Sequence, residues 1–235
     1  MQFSLRIIAM AAIMAASHTS ATPVQTSLPT IPRDAAPAAI SLMTVKLTNS
    51  AGVDLYTEHV PILCGGGQGI LKSGATGTYV LKPGYHGTVF VNSHDFNTGN
   101  KGSESQVETN FGPEEGKTEN KVTIDVSCVV GFTYPIVCNC EGGAKVSGCS
   151  TNLWDAECPK DDHDKAINAC RNPHRNGPKE AAPFFSRCAG QAYTFPQDSA
   201  AVSHDLCGTG EFHCYVGSNG KGDKAYLGFE RGAVG

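Results

Sequence analysis

The sequence predicts an all-β protein with a disulfide-rich loop region that carries a short helix. Several short segments alternate apolar and polar residues with a period of two, which is typical of half-buried strands. The 27 glycines and 13 prolines supply turns between such segments. Six of the ten cysteines lie between Cys138 and Cys188, which indicates a region held by covalent cross-links.

The N-terminal segment has the order of features of a secretory signal peptide. Arg6 precedes an apolar run at residues 7–16, and small residues follow as far as Ala21. We therefore expect a signal peptide over residues 1–21 and a flexible leader, rich in Ala, Pro and Thr, over residues 22–40. No later stretch approaches the roughly 20 apolar residues that a membrane helix needs. The prediction is a secreted protein with no membrane span.

The predicted strands follow from their alternation and from one clear turn. Pro83 restricts φ and Gly84 accepts a positive φ, so the Lys82-Pro83-Gly84 segment predicts a tight turn between two strands. In the strand that ends at Val126, apolar residues alternate with polar ones that include Asp125. The predicted strands cover residues 45–48, 76–81, 88–91 and 122–126.

The disulfide-rich loop domain is predicted over residues 138–188, between strand-containing segments at 41–137 and 189–216, with a C-terminal tail at 217–235. Asp161 or Asp162 is suited to cap a short helix over residues 164–170. Because secreted, loop-rich chains leave few free thiols, we expect five disulfides. They would use Cys64, Cys128, Cys138, Cys140, Cys149, Cys158, Cys170, Cys188, Cys207 and Cys214.

Composition and motifs exclude several functional classes. The 18 basic and 22 acidic side chains give a net charge of -4, which argues against binding to nucleic acid. The chain has no G-x-S-x-G elbow, no phosphate-binding P-loop and no H-E-x-x-H motif. The Cys138-Asn139-Cys140 pair lacks a second ligand pair at zinc-finger spacing. We therefore expect neither a metal nor a cofactor.

Two carboxylates are the candidates for chemistry. Glu108 lies in a polar segment, and Asp125 lies on the polar face of the strand at 122–126. Acids on neighbouring antiparallel strands can face a common cleft. A separation of about 5–5.5 Å would suit a retaining glycosidase, and roughly 6.5–9.5 Å would suit an inverting one. The alternative is two solvated acids on a sheet face, and the sequence leaves both interpretations open.

Three blocks of the chain resemble the thaumatin-like protein family. The segment Asp125-Val-Ser-Cys-Val-Val-Gly-Phe-Thr-Tyr-Pro-Ile-Val-Cys138 is similar to the central strand and turn of the family. Cys149-Ser-Thr-Asn-Leu-Trp154 resembles its cysteine-led segment, and residues 184–198 match its block of phenylalanine, cysteine, alanine and tyrosine. The resemblance covers roughly residues 41–216. The length and cysteine number resemble shortened, ten-cysteine fungal members.

The resemblance implies a flattened β-sandwich beside a disulfide-rich domain, with a binding cleft between them. Glu108 and Asp125 take the places of two cleft acids, whereas Val130 and Gln191 stand where the family commonly has aspartate. It also implies that Cys149 pairs with Cys188, and that Cys207 pairs with Cys138 or Cys140. Candidate aromatic residues for the groove are Tyr85, Phe96, Phe111 and Tyr134.

The function implied by the resemblance is binding of β-1,3-glucan or another cell-wall component at a fungal surface or host interface. With Val130 and Gln191 in place of acids, we expect a non-catalytic, monomeric protein, extracellular or associated with the cell wall. A host surface protein is an alternative partner. A weak endo-β-1,3-glucanase, with Glu108 as acid and Asp125 as base or nucleophile, is one alternative function. A structural or antigenic wall protein without a small ligand is another.

Overall fold

The computed structural model confirms the all-β prediction. It describes residues 40–63, 66–95, 102–113, 120–141, 145–177, 179–201 and 207–217. The predicted signal peptide, nearly all of the predicted leader and most of the predicted C-terminal tail lie outside these residues. None of the helices in the described ranges is long and apolar enough to cross a membrane.

Thirteen strands occur in the described part of the chain. Their bounds are β1 Met43–Asn49, β2 Leu55–Leu63, β3 Gly66–Leu71, β4 Thr76–Leu81, β5 Tyr85–Asn92, β6 Ser105–Pro113, β7 Asn120–Ser127, β8 Gly131–Phe132, β9 Ile136–Cys140, β10 Lys145–Cys149, β11 His163–Asp164, β12 Ala169–Arg171 and β13 Glu211–Val216. The predicted strands fall within β1, β4, β5 and β7. Gly84, in the turn between β4 and β5, has a φ of 92°.

Two five-stranded sheets form the sandwich. The first sheet has the order β10-β9-β13-β1-β4, and the second has the order β3-β2-β5-β6-β7. Within the first sheet, β1 and β13 pair in parallel. A third, small sheet has the order β11-β12-β8. The first and last described strands of the chain are therefore neighbours in the sandwich.

The core lies between the two large sheets and follows the alternation of the strands. In β1, Met43, Val45 and Leu47 are buried and alternate with partly exposed residues. In β7, the buried positions are Val122, Ile124 and Val126, as expected from the sequence pattern. Because successive side chains of a strand point to opposite faces, the polar residues between them lie on the outer face.

The predicted boundary of the loop domain is wrong on its N-terminal side. β9 and β10 lie at residues 136–149 and belong to the first sheet, because β9 pairs with β13 and β10 pairs with β9. The glycines and cysteines of this stretch obscured its strands, and the strand that pairs with β9 is distant in sequence. The irregular region begins after Cys149. We call residues 150–201 the loop region.

The helix predicted over residues 164–170 is also wrong. β11 and β12 form an antiparallel hairpin there, and β12 pairs with β8. Asn168 has a φ of 47°, a left-handed conformation that ends helical geometry and suits a turn. The helical elements of the loop region are instead three short 3₁₀ helices, Leu153–Asp155, Pro183–Cys188 and Ser199–Ala201.

Four disulfides link the described residues. They are Cys138–Cys214, Cys140–Cys207, Cys149–Cys188 and Cys158–Cys170. Both pairings implied by the family resemblance, Cys149 with Cys188 and Cys207 with one of its two candidate partners, are confirmed.

The prediction that every cysteine pairs is wrong at Cys128, which is free and buried. It directly follows β7, and its backbone N–H donates to the carbonyl oxygen of Tyr193 at 2.7 Å. Burial raises the pKa of its thiol to about 12, so the side chain behaves as a small apolar core residue. Cys64 lies outside the described residues.

Candidate functional site

The register of the second sheet brings the two candidate carboxylates together. Glu108 of β6 and Asp125 of β7 are direct partners in an antiparallel pair. Residues opposed in this way have Cβ atoms about 4.5–5.5 Å apart on one face of the sheet. Val126 and the other core residues of β7 occupy the opposite face. Both carboxylates therefore lie on the outer face, away from the core.

The carboxylates share this outer face with other partly or fully buried side chains. Thr88 of β5 is the partner of Glu108, and the neighbouring row contains Phe90, Gln106 and Ser127. Gln106 and Ser127 are buried, whereas Thr88, Phe90 and the two carboxylates are half-buried. The two carboxylates are therefore partly shielded from solvent.

Tyr193 of the loop region extends this outer face beyond β7. Its backbone N–H donates to the carbonyl oxygen of Val126 at 2.9 Å, and it forms a parallel β-bridge with Ser127. Bridge partners share a face of the sheet, so Tyr193 lies beside Ser127 and close to Asp125. We call Glu108, Asp125, Ser127 and Tyr193 the sheet-face site.

The sheet-face site concentrates negative charge in a partly desolvated position. Burial raises the pKa of Glu108, and the charge of Asp125 raises it further, while a hydrogen bond with the Ser127 side chain lowers it. Burial raises the pKa of Tyr193 to about 12, with contributions from Asp125, Glu108 and Asp198. The arrangement favours a proton on Glu108 and a neutral phenol on Tyr193.

The structure positions Val130 and Gln191 differently from the carboxylate pair. The Gln191 amide nitrogen donates to the carbonyl oxygen of Arg187 at 3.3 Å, and its amide oxygen accepts from Lys145 Nζ at 3.5 Å. Val130 lies beyond the end of β7 with a half-buried side chain, and its carbonyl oxygen accepts from the Asn172 N–H at 3.0 Å. The register thus unites Glu108 and Asp125, while Gln191 is engaged by Arg187 and Lys145.

The predicted groove aromatics do not form the site. Phe111 is fully buried in the core. Tyr85 and Tyr134 are half-buried and pack against the core. Phe96 lies outside the described residues. The aromatic residue of the site is Tyr193, which the sequence analysis did not single out. The sequence signal that could have pointed to Tyr193 is its position in the block at residues 184–198, on which the resemblance to the thaumatin-like family partly rests.

The fold and the site together define a disulfide-bonded β-sandwich protein with a pair of acids on the outer face of one sheet. No protein-family model matches the chain, and no curated protein matches it significantly. In the described ranges, no group of three or more His, Cys, Asp or Glu side chains is placed to hold a metal ion. The chemistry available at the site is therefore that of carboxylates, hydroxyl groups and one tyrosine ring.

Proposed function

We propose that this chain is a secreted, non-catalytic, thaumatin-like protein that binds β-1,3-glucan or another cell-wall polysaccharide at a fungal surface or host interface. The observation that carries the proposal is the sheet-face site. Paired carboxylate oxygens accept hydrogen bonds from sugar hydroxyls, and the ring of Tyr193 offers an apolar face to a pyranose. These groups stand on hydrogen-bonded strands, so little conformational freedom is lost on binding.

The disulfides support the compartment in this proposal. Four cross-links persist where thiols are oxidised, as outside the cell, and are rare in the cytosol.

A weak endo-β-1,3-glucanase is the second candidate, and the raised pKa of Glu108 favours it. Burial and the charge of Asp125 raise the pKa of Glu108, which is the direction that a general acid requires beside a second carboxylate. The placement of the two carboxylates on one sheet face is compatible with the separation of about 5–5.5 Å in a retaining glycosidase. Against hydrolysis, Val130 and Gln191 stand where the resemblance would place further acids.

A pull-down on insoluble β-1,3-glucan, with a reducing-sugar assay on the soluble polymer, separates these functions. We expect wild-type protein to bind and to release no sugar. Glu108→Gln should retain binding, because an amide still hydrogen-bonds to a hydroxyl. Tyr193→Ala should weaken binding about tenfold, as for a central aromatic contact. Glu211→Gln, an exposed acid on β13 of the other large sheet, is the matched control.

Two results would contradict the proposal. If wild-type protein releases oligosaccharides and Glu108→Gln lowers the rate by about 10²–10⁴, the protein is a glucanase. If neither glucan nor other wall polysaccharides retain the protein, the function is that of a structural or antigenic wall protein without a small ligand.

A further inference from the structure

A separate cavity opens between the edges of the two large sheets, where β4 ends the first sheet and β3 ends the second. Its volume is about 170 Å³. It lies at the opposite edge of the second sheet from β7, and therefore far along the sheet from the sheet-face site. The lining includes Leu47, Thr57, His59, Leu71, Gly77 and Tyr79. We call it the edge cavity.

The edge cavity is lined by polar as well as aliphatic side chains. Tyr79 pairs with Val45 in the sheet, and His59 follows Leu55 and Thr57 at alternate positions of β2, so both face inward. Their rings meet edge to face with centroids 5.0 Å apart. Tyr79 Oη and His59 Nδ1 are buried, and neither has a hydrogen-bond partner within the described residues.

Buried polar atoms in native proteins are nearly always hydrogen-bonded, so two that converge on one cavity require a cause. The Tyr85 hydroxyl, outside the cavity lining, is also buried without a partner in the described part of the chain. Burial raises the pKa of Tyr79, and the proximity of Tyr85 raises it further. A hydroxyl group of a bound molecule would satisfy both Tyr79 Oη and His59 Nδ1. A hydroxyl donates and accepts, so it suits either tautomer of His59.

The lining also restricts the charge and size of the occupant. No charged side chain is among the described residues that line the cavity, and burial lowers the pKa of His59, which keeps the ring neutral. An ion would lose its hydration without compensation in such a site. The volume of the edge cavity is close to that of an engineered cavity in another protein, which measures about 150 Å³ and binds benzene. One aromatic ring is therefore the size that fits.

We propose that the edge cavity binds a small neutral phenol, with its ring between the side chains of Leu47 and Leu71 and its hydroxyl bonded to Tyr79 Oη and His59 Nδ1. This site is independent of glucan binding at the sheet-face site. Its occupancy needs neither Glu108 nor Tyr193.

Amide NMR titrations of the full chain with phenol and with toluene test this proposal. We expect saturable shifts in β2 and β4 with phenol, and weaker binding of toluene, which lacks the hydroxyl. Tyr79→Phe should weaken phenol binding about two- to tenfold, the value of one net hydrogen bond, and leave toluene binding unchanged. Tyr56→Phe, on β2 with His59 but outside the lining, is the matched control and should bind phenol as the wild type does.

A filled cavity provides the second arm of the test. A Cβ at Gly77 would lie 3.5 Å from Leu71 Cδ1, an ordinary contact, so Gly77→Ala fits and Gly77→Val places further atoms in the cavity. Phenol and toluene should both bind these variants more weakly than the wild type, and the loss should be larger for Gly77→Val than for Gly77→Ala. The proposal is wrong if millimolar phenol produces no saturable shift, which would identify a cavity that holds only water. It is also wrong if Tyr79→Phe binds phenol as tightly as Tyr56→Phe.

Discussion

The sandwich and the loop region build their interiors in different ways. In the sandwich, regular alternation along β1 and β7 places aliphatic side chains between two sheets. In the loop region, only two short strands occur among the described residues, and an aromatic cluster takes the place of a sheet interface. Trp154 and Phe184 pack with Phe132 of β8 at ring-centroid distances of 5.8–6.1 Å. Disulfides then close the irregular backbone around this cluster.

Each region contains a fully buried asparagine whose side chain links two backbone segments. Asn49 is fully buried, and its amide nitrogen donates to the carbonyl oxygens of Val53 and Leu71 at 2.7 and 2.8 Å. Asn172 is equally buried and donates to the carbonyl oxygens of Cys128 and Thr194 at 2.9 and 2.7 Å. Asn49 links β1 to the end of β3 near it. Asn172 links the end of β7 to the segment that carries Tyr193, so it holds the loop region against the sheet-face site.

Core truncation in the sandwich should have the largest effect. Phe111→Ala removes a fully buried ring and should lower the free energy of unfolding by about 3–5 kcal/mol. Trp154 is the only tryptophan and reports on the loop region, whereas far-UV circular dichroism reports mainly on the strands. Because the loop region packs on the sandwich, both probes should shift together. A shift in circular dichroism alone would show that the loop region is stable without the sandwich.

Loss of one cross-link should have a smaller and more local effect. Replacing Cys158 and Cys170 together by serine opens a loop of separation 12 and should cost about 3 kcal/mol by chain entropy. Trp154 fluorescence should then report unfolding at lower denaturant concentration than circular dichroism does. Cys128→Ala is the control, since it removes a thiol without removing a disulfide. Coincident transitions in the double variant would contradict a separately held loop region.

The two buried asparagines sharpen the comparison directly. Asn49→Ala and Asn172→Ala each leave buried carbonyl groups without a donor and should each cost about 2 kcal/mol. Only Asn172→Ala should loosen Tyr193, and therefore only this variant should lower the Glu108 pKa in a carboxyl NMR titration. Equal effects of both variants on Glu108 would show that Asn172 has no special role at the site.

The smallest expected effect is a pH dependence at the boundary of the two regions. The pKa of Glu108 is raised in the folded state, so the folded protein holds this proton more tightly than the unfolded chain. Stability is therefore lost as pH rises from the unfolded-state pKa through the folded-state pKa. Glu108→Gln should remove this loss, and its Tm relative to wild type should increase across that range. Glu211→Gln should show no such trend, and a flat difference for Glu108→Gln would contradict the raised pKa.

The local sequence pattern was sufficient to predict the strands at residues 122–126 and beside Gly84, and to predict which side chains lie on the outer face. The alternation at residues 122–126 predicted both the buried valines and the outward position of Asp125, because a period of two depends only on neighbouring residues. The turn at Gly84 was predictable for the same reason, since it depends on the conformations allowed to single residues. Two disulfide pairings came from the resemblance of sequence blocks.

Only the tertiary structure decided which distant segments meet. The pairing of β1 with β13, the register that opposes Glu108 to Asp125, and the bridge from Ser127 to Tyr193 join residues that no local pattern relates. Tertiary contacts likewise placed a hairpin at residues 163–171, where a capping aspartate favoured a helix, and left Cys128 buried without a partner. Local preferences are small per residue, so burial and strand pairing with remote segments override them.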